Sequence, residues 1–187
     1  MRKTITSRKH FVETGTASGR EPVVVLPLRS LLAQFMQETG ASLGAEDEAP
    51  FSMRLLHFRR TFVEKLFAIH GKVQLLVRDG RPLGTYARHY YDIFQLSGQD
   101  DVLAMLRSEE YATIKTDYDR ISQDHFAKRY FPPTAMSFAE SEALFPSADL
   151  GPVIGKEYEE QSQLLCYAPH PSWKAVQARF RELKELL

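Results

Sequence analysis

Apolar residues recur along this chain in two rhythms, and the change between them separates a short sheet from a helical remainder. From 58 onward, Phe58, Phe62, Leu66, Ile69, Val73 and Leu76 return at the three- and four-residue steps that gather side chains on one helix face. Upstream the apolar runs are short and interrupted. Residues 9–14 have the aromatic and β-branched content of a strand, closed by Gly15 and Gly19; residues 23–26 lie between Pro22 and Pro27; residues 52–58 lead directly into the helix. Three short strands predict a thin sheet. Between them, residues 28–37 read as a short helix ending before Gly40, and residues 44–50 as an acidic loop.

Beyond the long helix comes a turn-rich connector with Arg78 and Arg81, whose simplest reading is a solvated turn, then a second helix over residues 86–96 that turns Tyr86, Tyr90, Ile93 and Phe94 to the core. Helices are predicted over 101–107 and over 109–130, the latter stopped by Pro132 and Pro133. A loop with Pro146 and Pro152 follows, then a helix to about Cys166. The last helix has Ser172 as N-cap and a seam of Trp173, Val176, Phe180, Leu183 and Leu187. The predicted class is α+β, mostly helical, with a sheet region over residues 1–58 and a helical domain over 59–187.

Composition narrows the function classes only a little. Twenty-four basic residues balance 24 acidic ones, so no global field marks a nucleic-acid or membrane binder. The single cysteine, Cys166, excludes an internal disulfide and a cysteine-built zinc site, which fits a reducing compartment. Residues 1–9 are basic but no apolar run follows them, and no stretch approaches the roughly 18 apolar residues of a membrane span. A soluble cytoplasmic protein with no membrane partner is expected.

One charge sits where the helical pattern calls for an apolar side chain. At about 100° per residue, Lys65 falls within roughly 20–40° of Phe58, Phe62 and Ile69. An ammonium on such a face needs a carboxylate or a ligand. Asp92, one turn from Arg88 and His89 on the next long helix, comes within reach if the two helices fold back on each other. The plainer alternative is an exposed Arg88–Asp92 pair. Asp117 and Asp119 look like a metal-binding carboxylate pair, but the surrounding pattern is helical, where positions i and i+2 diverge, so they are expected to be a decoy. The six histidines show no metal spacing, and no metal ligand is assigned. His89 is kept, because of its acidic neighbour, either as a substrate contact or as a support for a residue that makes one. Cys166 has no basic or histidine neighbour in sequence and is expected to pack rather than react.

Residues 60–70 (RTFVEKLFAIH) and 88–96 (RHYYDIFQL) together resemble the paired signature of the AbiEii/AbiGii family of nucleotidyltransferase toxins. The likeness extends upstream through residues 11–15 (FVETG) and 27–33 (PLRSLLA), and downstream through Phe131-Pro132, Tyr158-Glu159-Glu160 and residues 179–183 (RFREL). The resemblance implies that Lys65 and Asp92 are active-site residues, with Glu13 the acidic residue on a later sheet strand. Arg60, Glu64, Arg88 and His89 would contact substrate. It implies an NTP and Mg2+ for the complete family enzyme, a tRNA-like RNA acceptor, and an antitoxin as protein partner. Family members begin with a Gly-Gly or Gly-Ser turn and an Asp-x-Asp pair, and nothing before Glu13 supplies them. The expectation is therefore the C-terminal part of such an enzyme, truncated or degenerate: a remnant of its sheet followed by a helical bundle, with little activity alone and sheet edges open to self-association. The competing expectation is a noncatalytic interaction module in which Lys65 and Asp92 form a buried salt bridge with no open pocket beside it.

Overall fold

A computed structural model describes residues 19–41, 44, 49–166 and 168–187. The strand predicted at 9–14, and Glu13 with it, lies outside the described residues, as does most of the acidic loop.

Strands β1 (Val23–Leu28) and β2 (Phe51–Leu56) pair antiparallel, Val23 opposite Leu56 and Leu28 opposite Phe51. β1 runs through Pro27, which the sequence reading placed after the strand. A two-stranded sheet consists entirely of edges, so the N–H missing at Pro27 costs little. Helix α1 (Leu31–Glu38) starts later than expected because Ser30 caps it, its hydroxyl accepting from the Ala33 N–H at 3.1 Å. Much of the sheet and α1 is open: Val25, Phe51, Leu31 and Phe35 are all exposed.

The helical body is organised around α2 (Phe58–Asp79), a 22-residue helix. His57 caps its start, Nδ1 accepting from the Arg59 N–H at 3.3 Å, and Gly80 ends it with the left-handed φ of 66° that a side chain would oppose. Phe62, Leu66, Ile69 and Val73 are buried, and Val63 and Phe67 widen the stripe. A 3-10 turn over Gly84–Arg88, where a helix was expected, leads into α3 (His89–Leu96), which packs on α2. There follow α4 (Asp100–Leu106), α5 (Glu109–Phe126), α6 (Leu150–Leu165) and α7 (Trp173–Leu183).

Two boundaries differ from expectation for reasons of backbone chemistry. α5 gives way to a 3-10 turn at Ala127–Arg129, ahead of the two prolines. α6 includes Pro152, which had been assigned to the loop; in a helix's first turn the proline's missing N–H would have had no partner. Residues 137–149 form no regular helix, yet Phe138, Ala143 and Leu144 are buried. They are tied in by backbone: the Tyr90 hydroxyl donates to the Ala143 carbonyl at 2.8 Å, and the Phe138 N–H to the Leu187 carbonyl at 2.8 Å. α6 and α7 meet at Gly155, where an added Cβ would lie 2.5 Å from the Trp173 indole. Ser172 caps α7 as expected, accepting from the Ala175 N–H. With 64% helix and a small antiparallel sheet, the protein is α+β and mostly helical. Among the described residues no helix is long and apolar enough to cross a membrane.

Candidate functional site

The Lys65 side chain leaves the apolar stripe of α2 and meets α3. Its ammonium donates to Asp92 Oδ2 at 2.7 Å and lies 3.1 Å from His89 Nδ1, which is 3.2 Å from the same carboxylate oxygen. The side chains are partly shielded, Lys65 20% exposed and Asp92 35%. His89 has one proton position at Nδ1 to offer: protonated there it donates to Asp92, bare it accepts from Lys65. Burial pushes the Asp92 carboxyl up, but hydrogen bonds from His89 and Lys65, with their charge, outweigh it and hold the group below the ordinary carboxylate value. Asp92 is thus an anion at neutral pH. Arg88, one turn away, makes no ion pair with it.

Asp92 and Arg88 stand on the wall of a cleft of about 400 Å³, completed by Tyr91 from α3 and by Ser162, Leu165, Cys166, Ala168 and Pro169 at the end of α6. This lies within the size range of small-molecule sites, and its wall mixes apolar surface with a few polar groups. Cys166, read from sequence as packing, is half-buried on this wall. Nothing local in the sequence marks Ser162 or Cys166, because the cleft exists only through the approach of α6 to α3.

Arg60 and Glu64 lie elsewhere. The Arg60 guanidinium is 2% exposed and donates from Nε to Glu64 at 2.8 Å, from Nη1 to the Glu21 carbonyl at 2.9 Å, and pairs with Asp117 at 2.8 Å. Gly19 lies directly over it, where any Cβ would collide with the guanidinium. These contacts tie the segment entering β1 to α2 and α5. Asp117 and Asp119 are on a helix and are occupied separately, Asp117 by Arg60 and Arg120, Asp119 by the Tyr130 hydroxyl at 2.7 Å. His70 is a core residue, 2.7 Å from the Ser141 hydroxyl, with its pKa lowered chiefly by burial. Arg78 and Arg81 line an exposed turn, both beside Asp79.

The fold and site define an α+β protein with a Lys–Asp–His cluster at the lip of a cleft between helices. The chain belongs to the AbiEii family: the model for the nucleotidyl transferase AbiEii toxin of type IV toxin–antitoxin systems matches residues 7–182. No curated protein and no solved structure matches it. Membership implies an NTP substrate and an antitoxin partner, and the family's chemistry generally uses a divalent metal. The described residues do not fit such a metal: they contain no group of three or more His, Cys, Asp or Glu side chains able to hold one, and Asp92 is already shared by two cationic or proton-donating partners.

Proposed function

We propose that this chain supports transfer of a nucleotide from an NTP to an RNA acceptor, with Lys65 facing the phosphates and Asp92 holding the lysine in place. The observation that carries this reading is the 2.7 Å Lys65–Asp92 bond at the edge of an open cleft. An ammonium already fixed by a carboxylate meets charge developing on a phosphate without having to reorganise. Arg88, exposed on the same wall, supplies a second positive group for the triphosphate, and His89 steadies the pair. Arg60 and Glu64 belong to the support of the fold rather than to substrate contact. Glu13 and the sheet region of residues 1–58 are assigned the acidic share of the chemistry. The open cleft favours this reading over a purely structural helical module, which called for a closed salt bridge.

The test is transfer of radiolabelled nucleotide from each of the four NTPs to bulk RNA, with and without Mg2+ and antitoxin. It uses the whole chain. Signal lost in Lys65→Ala and suppressed by the antitoxin supports the proposal; transfer indifferent to Lys65→Ala ends it.

A further inference from the structure

A second groove runs along α2 from Phe67 to Leu75, starting within one turn of Lys65. Its floor is α2, where Gly71 faces open space: a Cβ placed there meets no atom within 4 Å. Its far wall is α5 and the turn after it, where Tyr118 stacks on Phe67 with ring centroids 4.3 Å apart and 17° between planes, and Tyr130 leans against both. Its rims are Tyr86, 40% exposed, and Phe126, 52% exposed. An aromatic cluster whose only role was packing would close over its centre. This one leaves about 300 Å³ and two large rings in water.

The charged side chains lining the groove are both cations, while the nearest carboxylates, Asp119 and Asp79, are engaged by the Tyr130 hydroxyl and by Arg78. The Lys72 ammonium lies 4.0 Å above the Tyr86 ring, Arg129 stands on the wall, and no carboxylate lines the space. Neither cation has an acidic partner among the described residues, and the Arg78 guanidinium lies 5.1 Å from the Phe131 ring that ends the wall. Flat π faces bordered by unpaired cations are what an unstacked base between two phosphates requires, whereas a duplex hides its base faces and is too wide to enter. The groove also communicates with the reacting cluster. Tyr86 meets the His89 ring edge-to-face at 5.6 Å, and Lys65, Ala68 and Lys72 follow one another along a single face of α2.

We propose that the groove between α2 and α5 is a single-stranded RNA subsite, taking one unpaired base against Tyr86 and Phe126 with Lys72 and Arg129 on the flanking phosphates. Its identification as the acceptor's subsite rests on the nucleotidyl-transfer reading above. One concavity then has Asp92 on its wall and the other starts within one turn of α2 from Lys65, as a reaction between two substrates needs.

The experiment measures binding of a short fluorescein-labelled single-stranded oligoribonucleotide to the whole chain by anisotropy, without NTP. Gly71→Leu plugs the groove from an open helix position, and Phe126→Ala removes an exposed ring, so both are expected to melt close to the parent. The parent is expected to prefer the single strand to the same sequence annealed. Either variant is expected to weaken binding roughly 5- to 100-fold, the worth of one stacked base. Lys72→Gln is expected to lower the salt dependence by about one ion, and photocrosslinks are expected on Tyr86 or Phe126. Equal affinity in Gly71→Leu and Phe126→Ala, or equal binding of duplex, overturns the proposal. So does loss of antitoxin neutralisation in Gly71→Leu with RNA affinity unchanged, which would assign the groove to the protein partner. A chain that binds RNA through the groove but transfers nucleotide without regard to Lys65 defeats the catalytic reading alone. Transfer that needs Lys65 while RNA binding ignores Gly71→Leu defeats the groove alone.

Discussion

Arg60 and Lys65 occupy neighbouring turns of α2, and each is held by a carboxylate from another helix, yet they live in opposite circumstances. Arg60 is sealed beneath Gly19 with its guanidinium divided among Glu64, Asp117 and the Glu21 carbonyl. Lys65 keeps a fifth of its side chain in solvent and bonds a carboxylate that is itself one-third exposed at the edge of a cleft. A planar fork with several fixed donors suits the first setting, because it can satisfy acceptors from several segments at once. A flexible stem with a point charge suits the second, because it can turn from its carboxylate to an incoming anion. Two cations on one helix thus divide into one that assembles the fold and one that remains addressable.

That division can be broken by substitution. The largest expected effect is on transfer in Lys65→Ala, a fall of about 100-fold or more, typical of removing one fixed charge-stabilising group. Its unfolding free energy in urea is expected to change by less than about 1 kcal/mol, because the pair is partly exposed. Arg60→Ala is expected to behave the other way, costing about 2–3 kcal/mol in urea unfolding once Glu64, Asp117 and the Glu21 carbonyl lose their donor, a value discounted because both carboxylates reach solvent. Residual transfer should then follow the folded fraction. A variant of Arg60 that melts like the parent but transfers nothing would collapse the distinction. Arg60→Lys is expected to recover less than half of that loss, since an ammonium cannot reproduce the fork.

The smallest expected effect concerns acid. Asp92 is held below its ordinary value, so its pairing contributes fully at neutral pH, down to the unfolded value of about 4, and is lost as pH falls through the lower folded value. The stability gap between the parent and Asp92→Asn is therefore expected to stay level from neutral pH to about pH 4 and to narrow below it. Urea unfolding at stepped pH checks this. A gap that widens in acid would mean that Asp92 is not the carboxylate that matters.

The features legible in the sequence were those carried by short-range periodicity. The stripe through Phe62, Leu66 and Ile69 exposed Lys65 as a misfit, Ser172 marked its helix start, and the helical surroundings of Asp117 and Asp119 ruled out a strand-borne metal pair. The Asp92 partnership needed only the folding back of one helix on the next. The contacts of Arg60 were not legible because its partners are remote: the Glu21 carbonyl lies 39 residues before it, and backbone carbonyls leave no mark in sequence. The buried stretch around Phe138 and Leu144 escaped for a similar reason. It has no period, being held by single hydrogen bonds to Tyr90 and to the C-terminal turn. Both concavities were invisible because each is space between helices rather than a property of any one of them. The open helix face at Gly71 was a faint local clue to the second.

Cys166 has a practical consequence. It is the chain's sole sulfhydryl, half-buried at the end of α6 on the same wall as Asp92. Unmutated protein therefore carries a unique attachment point for a spectroscopic tag beside the first cleft and far along the chain from Gly71. A trifluoromethyl label there would report from the wall of the first cleft itself, giving one resonance expected to shift when a nucleotide enters, so the filling of that cleft could be followed in real time.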